Sequence, residues 1–163
     1  MAVPGHVGSD YERLRPDFKV IQDPYAPDRR IMIVPAIRPD VALIHAELAD
    51  AEGTLLLEER EDDALLAQAS KVVIASAERI VATEDIRRSA HGVVLESLHV
   101  TAVVEVPRGA HPAAMRGLYE IDEPHLRAYI AAAKDDQSFK TYLDRYVFAP
   151  ATWQDYLEAA AHP

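Results

Sequence analysis

Apolar residues follow two rhythms along this chain, and its first 30 residues follow neither. Near-continuous apolar runs predict strands covered on both faces, as in a parallel sheet, and spacings of three and four predict helices. The clearest run is Val100, Ala102, Val103, Val104 and Val106. It enters the loop Val106-Pro107-Arg108-Gly109-Ala110-His111-Pro112, which leads on to Gly117-Leu118-Tyr119. A short strand is expected over 31–34, stopped by Pro35, and a buried one over 41–46, after the turn Arg38-Pro39-Asp40. Asp50-Ala51-Glu52-Gly53 is turn chemistry, followed by the apolar segment 54–57. Asp62 or Asp63 then opens a helix that runs to Ala69 and buries Leu65, Leu66 and Ala69, and a strand over 71–76 follows at once. This strand, helix, strand order is the mark of a βαβ unit. Residues 80–82 read as a brief extended piece, with Thr83 capping a short helix that carries Glu84 and Asp85 in its first turn.

From Asp122 onward the pattern is helical. Leu126, Tyr129, Ile130 and Ala133 share one face, and Phe139, Tyr142, Leu143 and Tyr146 repeat the spacing. A third helix opens at Thr152 with Asp155 three residues on, a capping box with aspartate in place of glutamate, and buries Trp153, Tyr156 and Leu157. At the other end, Pro4, Gly5, Gly8, Pro16, Pro24 and Pro27 interrupt every period. The expected organisation is an irregular lead-in over 1–30, a sheet core over 31–121 and a helical segment over 122–163 packing on the same domain. The fold class is α/β, with an open, mostly parallel sheet.

Composition narrows the function. The chain has 163 residues, room for one ordinary domain, and no cysteine, which removes disulfides, thiolate metal sites and cysteine nucleophiles. A formal charge of −10 argues against nucleic acid and anionic membranes as partners. With no apolar run of about 20 residues and no signal-peptide core, a cytoplasmic location is expected.

The strand that ends at Val106 delivers His111 between two prolines, at a turn expected to be rigid and exposed, where open α/β sheets bind ligands. An ordinary turn residue is the other reading of His111. His45, at the end of a predicted strand, reads either as a core histidine bonded to backbone or as a side chain facing a cleft. His99 falls at the opposite end of its strand. Glu105, inside an apolar run, either points inward with a raised pKa or faces water at a strand edge. The acids from Glu58 to Asp63 lack a regular ligand spacing and read as a solvated helix start rather than a cation site. No phosphate-cradling glycine motif, nucleophile elbow or HExxH helix is present, and no metal site is expected.

Several blocks, in order, resemble the α subunit of family I CoA-transferases of the glutaconate type. They are Arg38-Pro39-Asp40-Val41-Ala42-Leu43-Ile44-His45-Ala46, Asp50-Ala51-Glu52-Gly53-Thr54, Ala69-Ser70-Lys71-Val72-Val73-Ile74-Ala75 and Glu84-Asp85-Ile86-Arg87-Arg88. Val103-Val104-Glu105-Val106-Pro107 with Gly109-Ala110-His111-Pro112, Gly117-Leu118-Tyr119 and Tyr142-Leu143-Asp144-Arg145-Tyr146-Val147 complete the set. The resemblance covers about residues 8 to 160. It implies the open α/β fold of the CoA-transferase superfamily and a role in moving coenzyme A from an acyl-CoA to a carboxylic acid. The CoA-transferase β subunit is implied to supply the nucleophilic glutamate, so this chain carries no catalytic residue of its own and is inactive without partner chains. The only cofactor-like molecule implied is the coenzyme A thioester, as substrate.

Two departures stand out. The family's α subunit is about twice as long, and this chain resembles only its second half, so a separate N-terminal half is an expected partner. After His-Pro the family often has Ser, Cys and Tyr, where this chain has Ala113, Ala114, Met115 and Arg116. That change leaves the acyl group open and suits Arg116 to a carboxylate or a CoA phosphate. The expected substrate-binding residues are Gly109, His111, Arg116 and Tyr119. A subunit of an acyl-CoA decarboxylase or hydrolase with the same fold, or a noncatalytic assembly subunit, is the alternative.

Overall fold

A computed structural model describes residues 2–161 apart from 4, 61 and 90. The chain divides after Pro39 into two compact units.

The first unit corrects the expectation of an irregular lead-in. It holds β1 (Ala2–Val3), α1 (Tyr11–Leu14), β2 (Lys19–Asp23) and β3 (Ala26–Ile33), with the strands in antiparallel order β1-β3-β2. The prolines that hid this sheet are accommodated locally. Pro24 lies in the turn between β2 and β3, and the ladder shifts register between Gln22 and Asp23, which leaves Pro27 outside the pairing. The Gln22 side-chain amide donates to the Pro27 carbonyl and, at 2.9 Å, to the Arg29 carbonyl. Asp23 closes the turn by accepting the Tyr25 N–H at 2.9 Å and pairing with Arg29. Ile31 and Met32 are buried, so residues 31–34 are mostly the end of β3 rather than a separate strand.

The second unit contains β4 (Val41–Ala49), β5 (Leu55–Leu57), α2 (Asp63–Ala69), β6 (Val72–Ile80), α3 (Thr83–Arg87), β7 (Val93–Leu95), a 3-10 turn Ser97–His99 and β8 (Ala102–Glu105). Then come α4 (Glu123–Ala132), α5 (Asp136–Leu143), a π turn Asp144–Phe148 and α6 (Trp153–Ala160). The sheet runs β7-β5-β4-β6-β8; β4, β6 and β8 pair in parallel, and β5 pairs antiparallel with both β4 and β7. The α/β class with a mostly parallel sheet therefore holds.

Alternation along the strands decides which side of this sheet is core. Ala42, Ile44 and Ala46 of β4 lie with Val73, Ala75 and Ala77 of β6 on one face, packed with Leu55, Leu57, Leu95 and Ala67 of α2. Leu56, turned the other way, joins Leu48 and Ile86 of α3 in a smaller cluster. Each fully buried leucine contributes about 1.5–3 kcal/mol through the apolar area it removes from water. The predicted turn after β4 is built by Asp50. Its carboxylate accepts the Glu52 and Thr54 N–H groups at 2.9 and 2.8 Å and the Thr83 hydroxyl at 2.7 Å. Gly53 supplies the φ of +96° that the turn needs.

Three expected elements are corrected. The strand expected over 71–76 runs on through Ile80 as the nine-residue β6, and the expected piece over 80–82 contributes only Ile80 to it. Polar Ser76 and Glu78 broke its apolar pattern in the sequence. Thr83 does not cap α3: it is the helix's first residue and spends its hydroxyl on Asp50. The run at 100–106 is not covered on both faces. Only Ala102–Glu105 pair, at the sheet edge, and Val104 is exposed. Thr152 and Asp155 do form the expected capping box.

Candidate active site

β4 and β6 run parallel in a register that sets His45 beside Ser76, one pleat before Glu78. These are the polar residues of the face opposite the main core, and they cluster toward the carboxyl ends of the strands. His45 Nε2 lies 2.7 Å from Glu78 Oε1, and Nδ1 lies 2.8 Å from the Ser76 hydroxyl. Because a carboxylate only accepts, Nε2 carries a proton. Glu78 is buried and takes two further donors: the Tyr119 hydroxyl on Oε1 and the Arg108 N–H on Oε2, each at 2.6 Å. Burial by itself would raise the Glu78 carboxyl, but the Tyr119 hydroxyl, the Arg108 N–H and His45 outweigh it and hold it below its ordinary value. The same burial, and the bond to Glu78, push the Tyr119 phenol up to about 12.

Glu78 therefore ties the loop after β8 to the sheet. Arg108 reaches it with φ of +60°, a left-handed conformation that costs a non-glycine residue about 1–3 kcal/mol and is held by the short bond to Glu78. The Tyr119 hydroxyl also accepts the Ala110 N–H at 3.1 Å, closing the loop on itself. Gly109 lies against the histidine: a Cβ there would fall 2.5 Å from His45 Cε1 and 2.8 Å from the Val106 carbonyl.

In front of this network opens a cleft of about 560 Å³. Ala110, Met115 and Tyr119 form its apolar wall, His45 lies at its base, and Arg60 and Arg116 bring positive charge. Arg116 is exposed and pairs with Glu58 at 3.2 Å. The expected site residues thus separate. Arg116 and Tyr119 line the cleft, Gly109 shapes it from behind, and His111 turns away.

His111 corrects the expectation of an exposed ring. It is buried against the helical segment, with Nδ1 2.8 Å from the Tyr156 hydroxyl and Nε2 3.1 Å from Asp122. Asp122 accepts the His125 N–H at 2.9 Å as the N-cap of α4, and this bond, followed by His111, holds its carboxyl low. His125 is fully buried among Tyr142, Tyr146 and His111, and donates or accepts at 2.7 Å with the Tyr142 hydroxyl through Nε2. Its Nδ1 meets no partner among the described residues. Burial, then the neighbouring His111, lower its pKa. The Trp153 indole N–H donates to the Pro107 carbonyl at 2.7 Å, so α6 also braces the loop.

The sequence reading missed Glu78 altogether. The available signal was a glutamate inside an extended apolar run, two residues past a serine. For Glu105, the edge reading holds: it is exposed and accepts the Ile80 N–H at 2.7 Å. His45 bonds side chains at the cleft rather than backbone. His99 lies in the 3-10 turn ahead of β8. Of the acidic run, Glu61 lies outside the described residues, and no group of three or more metal-ligating side chains converges among the rest.

The coenzyme A transferase family pattern matches residues 28–106. The chain belongs to that family. Among curated relatives it is 35% identical to the A subunit of glutaconate CoA-transferase from Acidaminococcus fermentans over 141 residues, 86% of this chain and 44% of the relative. The solved glutaconate coenzyme A-transferase of the same organism superposes with a TM-score of 0.87 at 29% identity, covering 99% of this chain and 56% of that one. The AibA/AibB decarboxylase superposes with a TM-score of 0.70 at 32% identity, covering 88% of this chain and 54% of that one. The chain spans about half the length or less of the curated relatives it matches, and those named as subunits imply a partner subunit for the family. No helix among the described residues is long and apolar enough to cross a membrane.

Proposed function

We propose that this chain is the C-terminal half of a CoA-transferase α subunit, working in the cytoplasm with a β subunit and with an N-terminal half, on the same or a separate polypeptide. Coenzyme A passes from an acyl-CoA to a free carboxylic acid, no further cofactor takes part, and the β subunit supplies the carboxylate nucleophile. The carrying observation is the state of Glu78. It lies behind the cleft residues His45 and Tyr119, is buried, holds three donors and has its acidity strengthened, which makes it a positioning residue rather than a nucleophile. What the chain contributes is a wall: a pinned loop, an apolar surface at Met115 and Tyr119, and Arg116 for an anionic group of acid or coenzyme. Gly109 and His111 act from behind it, by letting the loop approach His45 and by fastening it to α4 and α6.

A second reading, decarboxylation or hydrolysis of an acyl-CoA, draws support from the similarity to the AibA/AibB decarboxylase. One assay separates the readings. The purified chain, and its complex with the partner chains that copurify from its source, are given glutaconyl-CoA and acetate. Transfer is expected from the complex only. Loss of carbon dioxide or release of free coenzyme A without acetyl-CoA would favour the second reading. Transfer by the chain alone would refute the assignment of the nucleophile to a partner, and a complex without any turnover would leave a noncatalytic assembly role.

A further inference from the structure

The sheet face that carries His45, Ser76 and Glu78 is lidded only toward the carboxyl ends of its strands. Toward their amino ends the same face is apolar and bare. The register aligns Leu43 with Ile74 and Ala102, and His45 with Ser76 and Val104, so the side chains form one continuous stripe running up to the polar network. Val41, Leu43, Ile74 and Val104 are 51%, 75%, 42% and 53% exposed. Parallel strands are rarely left in this state, because their backbone and side chains are stable only with helices on both faces. The opposite face obeys that rule, with α2 packed on the main core. Four large aliphatic side chains in adjacent rows, beside a site rather than scattered, mark a binding surface.

Length identifies what covers it. The glutaconate CoA-transferase relative matches this chain over 44% of its own length in sequence and 56% in structure, so roughly half of it has no counterpart here. We propose that the stripe Val41, Leu43, Ile74 and Val104 is the seat of that missing half, which lays the apolar side of an amphipathic helix across β4, β6 and β8. This inference rests on the reading of the chain as half of an α subunit; it assigns the surface through which the halves join. Docking there would extend the cleft wall from His45 toward the amino ends of the strands, which explains how one half alone leaves the cleft open.

The absence of cysteine allows a direct test, since one introduced thiol is the only one in this chain. Leu43→Cys places it on the stripe, and Leu65→Cys places it on the exposed side of α2, over the opposite face. Each variant is labelled with N-ethylmaleimide alone and in the complex with the partner chains that copurify from its source. Unchanged circular dichroism confirms folding. Alone, both thiols should react quickly. In the complex, Leu43→Cys should react at least tenfold more slowly and Leu65→Cys at its former rate. Equal labelling of Leu43→Cys in both states overturns the proposal. So does protection in the chain alone that grows with its concentration, which would make the face a contact between copies. A CoA-transfer assay on the same complex separates the two claims: protection without transfer keeps the surface and removes the function, and transfer without protection does the reverse.

Discussion

The loop after β8 is fastened by two histidine clusters on its two sides, and they differ in how much of the work falls to a buried carboxylate. On the cleft side, His45 faces an ionised carboxylate that gathers three donors, so charge holds the loop to the sheet. On the helical side, His125 faces tyrosines, and His111 bridges the Tyr156 hydroxyl and the more exposed Asp122 carboxylate, so ring packing and a single carboxylate contact hold the loop to α4 and α6. Charge-assisted bonds are roughly twice as strong as neutral ones, and a buried carboxylate fixes where its donors sit. The comparison teaches that the cleft wall is positioned from the sheet, with the helices as a brace behind it.

Removing the hub tests that asymmetry most severely. Glu78→Ala leaves the Tyr119 hydroxyl, the Arg108 N–H and the His45 ring without their acceptor and should cost about 3 kcal/mol, read as a lower urea midpoint. A cost under about 1 kcal/mol would show that the sheet side is not the anchor. Next in size, Gly109→Ala drives a methyl into His45 and the Val106 carbonyl, for about 1–3 kcal/mol of overpacking, and should also perturb the His45 ring resonances in an NMR spectrum. Unmoved resonances would mean the loop yields instead of the histidine.

Acidity distinguishes the two sides by window. The folded pKa of His125 is depressed below the ordinary 6.5, so the unfolded chain takes up a proton that the folded chain refuses, and stability falls as pH drops below about 6.5. Glu78 is depressed below the ordinary 4.5, so its contribution is complete above that value and is lost only at lower pH. Between pH 6.5 and 5 the decline therefore belongs to the helical side, at no more than about 1.4 kcal/mol per pH unit for one proton. His125→Phe should flatten it, and a slope identical to the parent's would assign it elsewhere. The smallest effect expected is from Tyr142→Phe, which removes only the hydroxyl on His125 and should cost about 1 kcal/mol in thermal melting. A loss matching that of Glu78→Ala would erase the distinction between the two sides.

Much of this protein follows from its sequence alone. Apolar runs against 3.6-residue spacing fixed the α/β class, the βαβ unit, the Asp50 to Gly53 turn and the Thr152 capping box, because each depends on neighbours within a few positions. Ordered blocks of residues were enough for the family. Tertiary structure decided the rest. Whether Val104 is covered depends on its being at a sheet edge, and whether His111 faces solvent or Tyr156 depends on a helix 45 residues away. Glu78 became the centre of the site only when β4, β6 and the loop met, since a carboxylate's acidity and role are set by the donors around it, and those donors come from β4 and from the loop, each about 30 residues or more away along the chain.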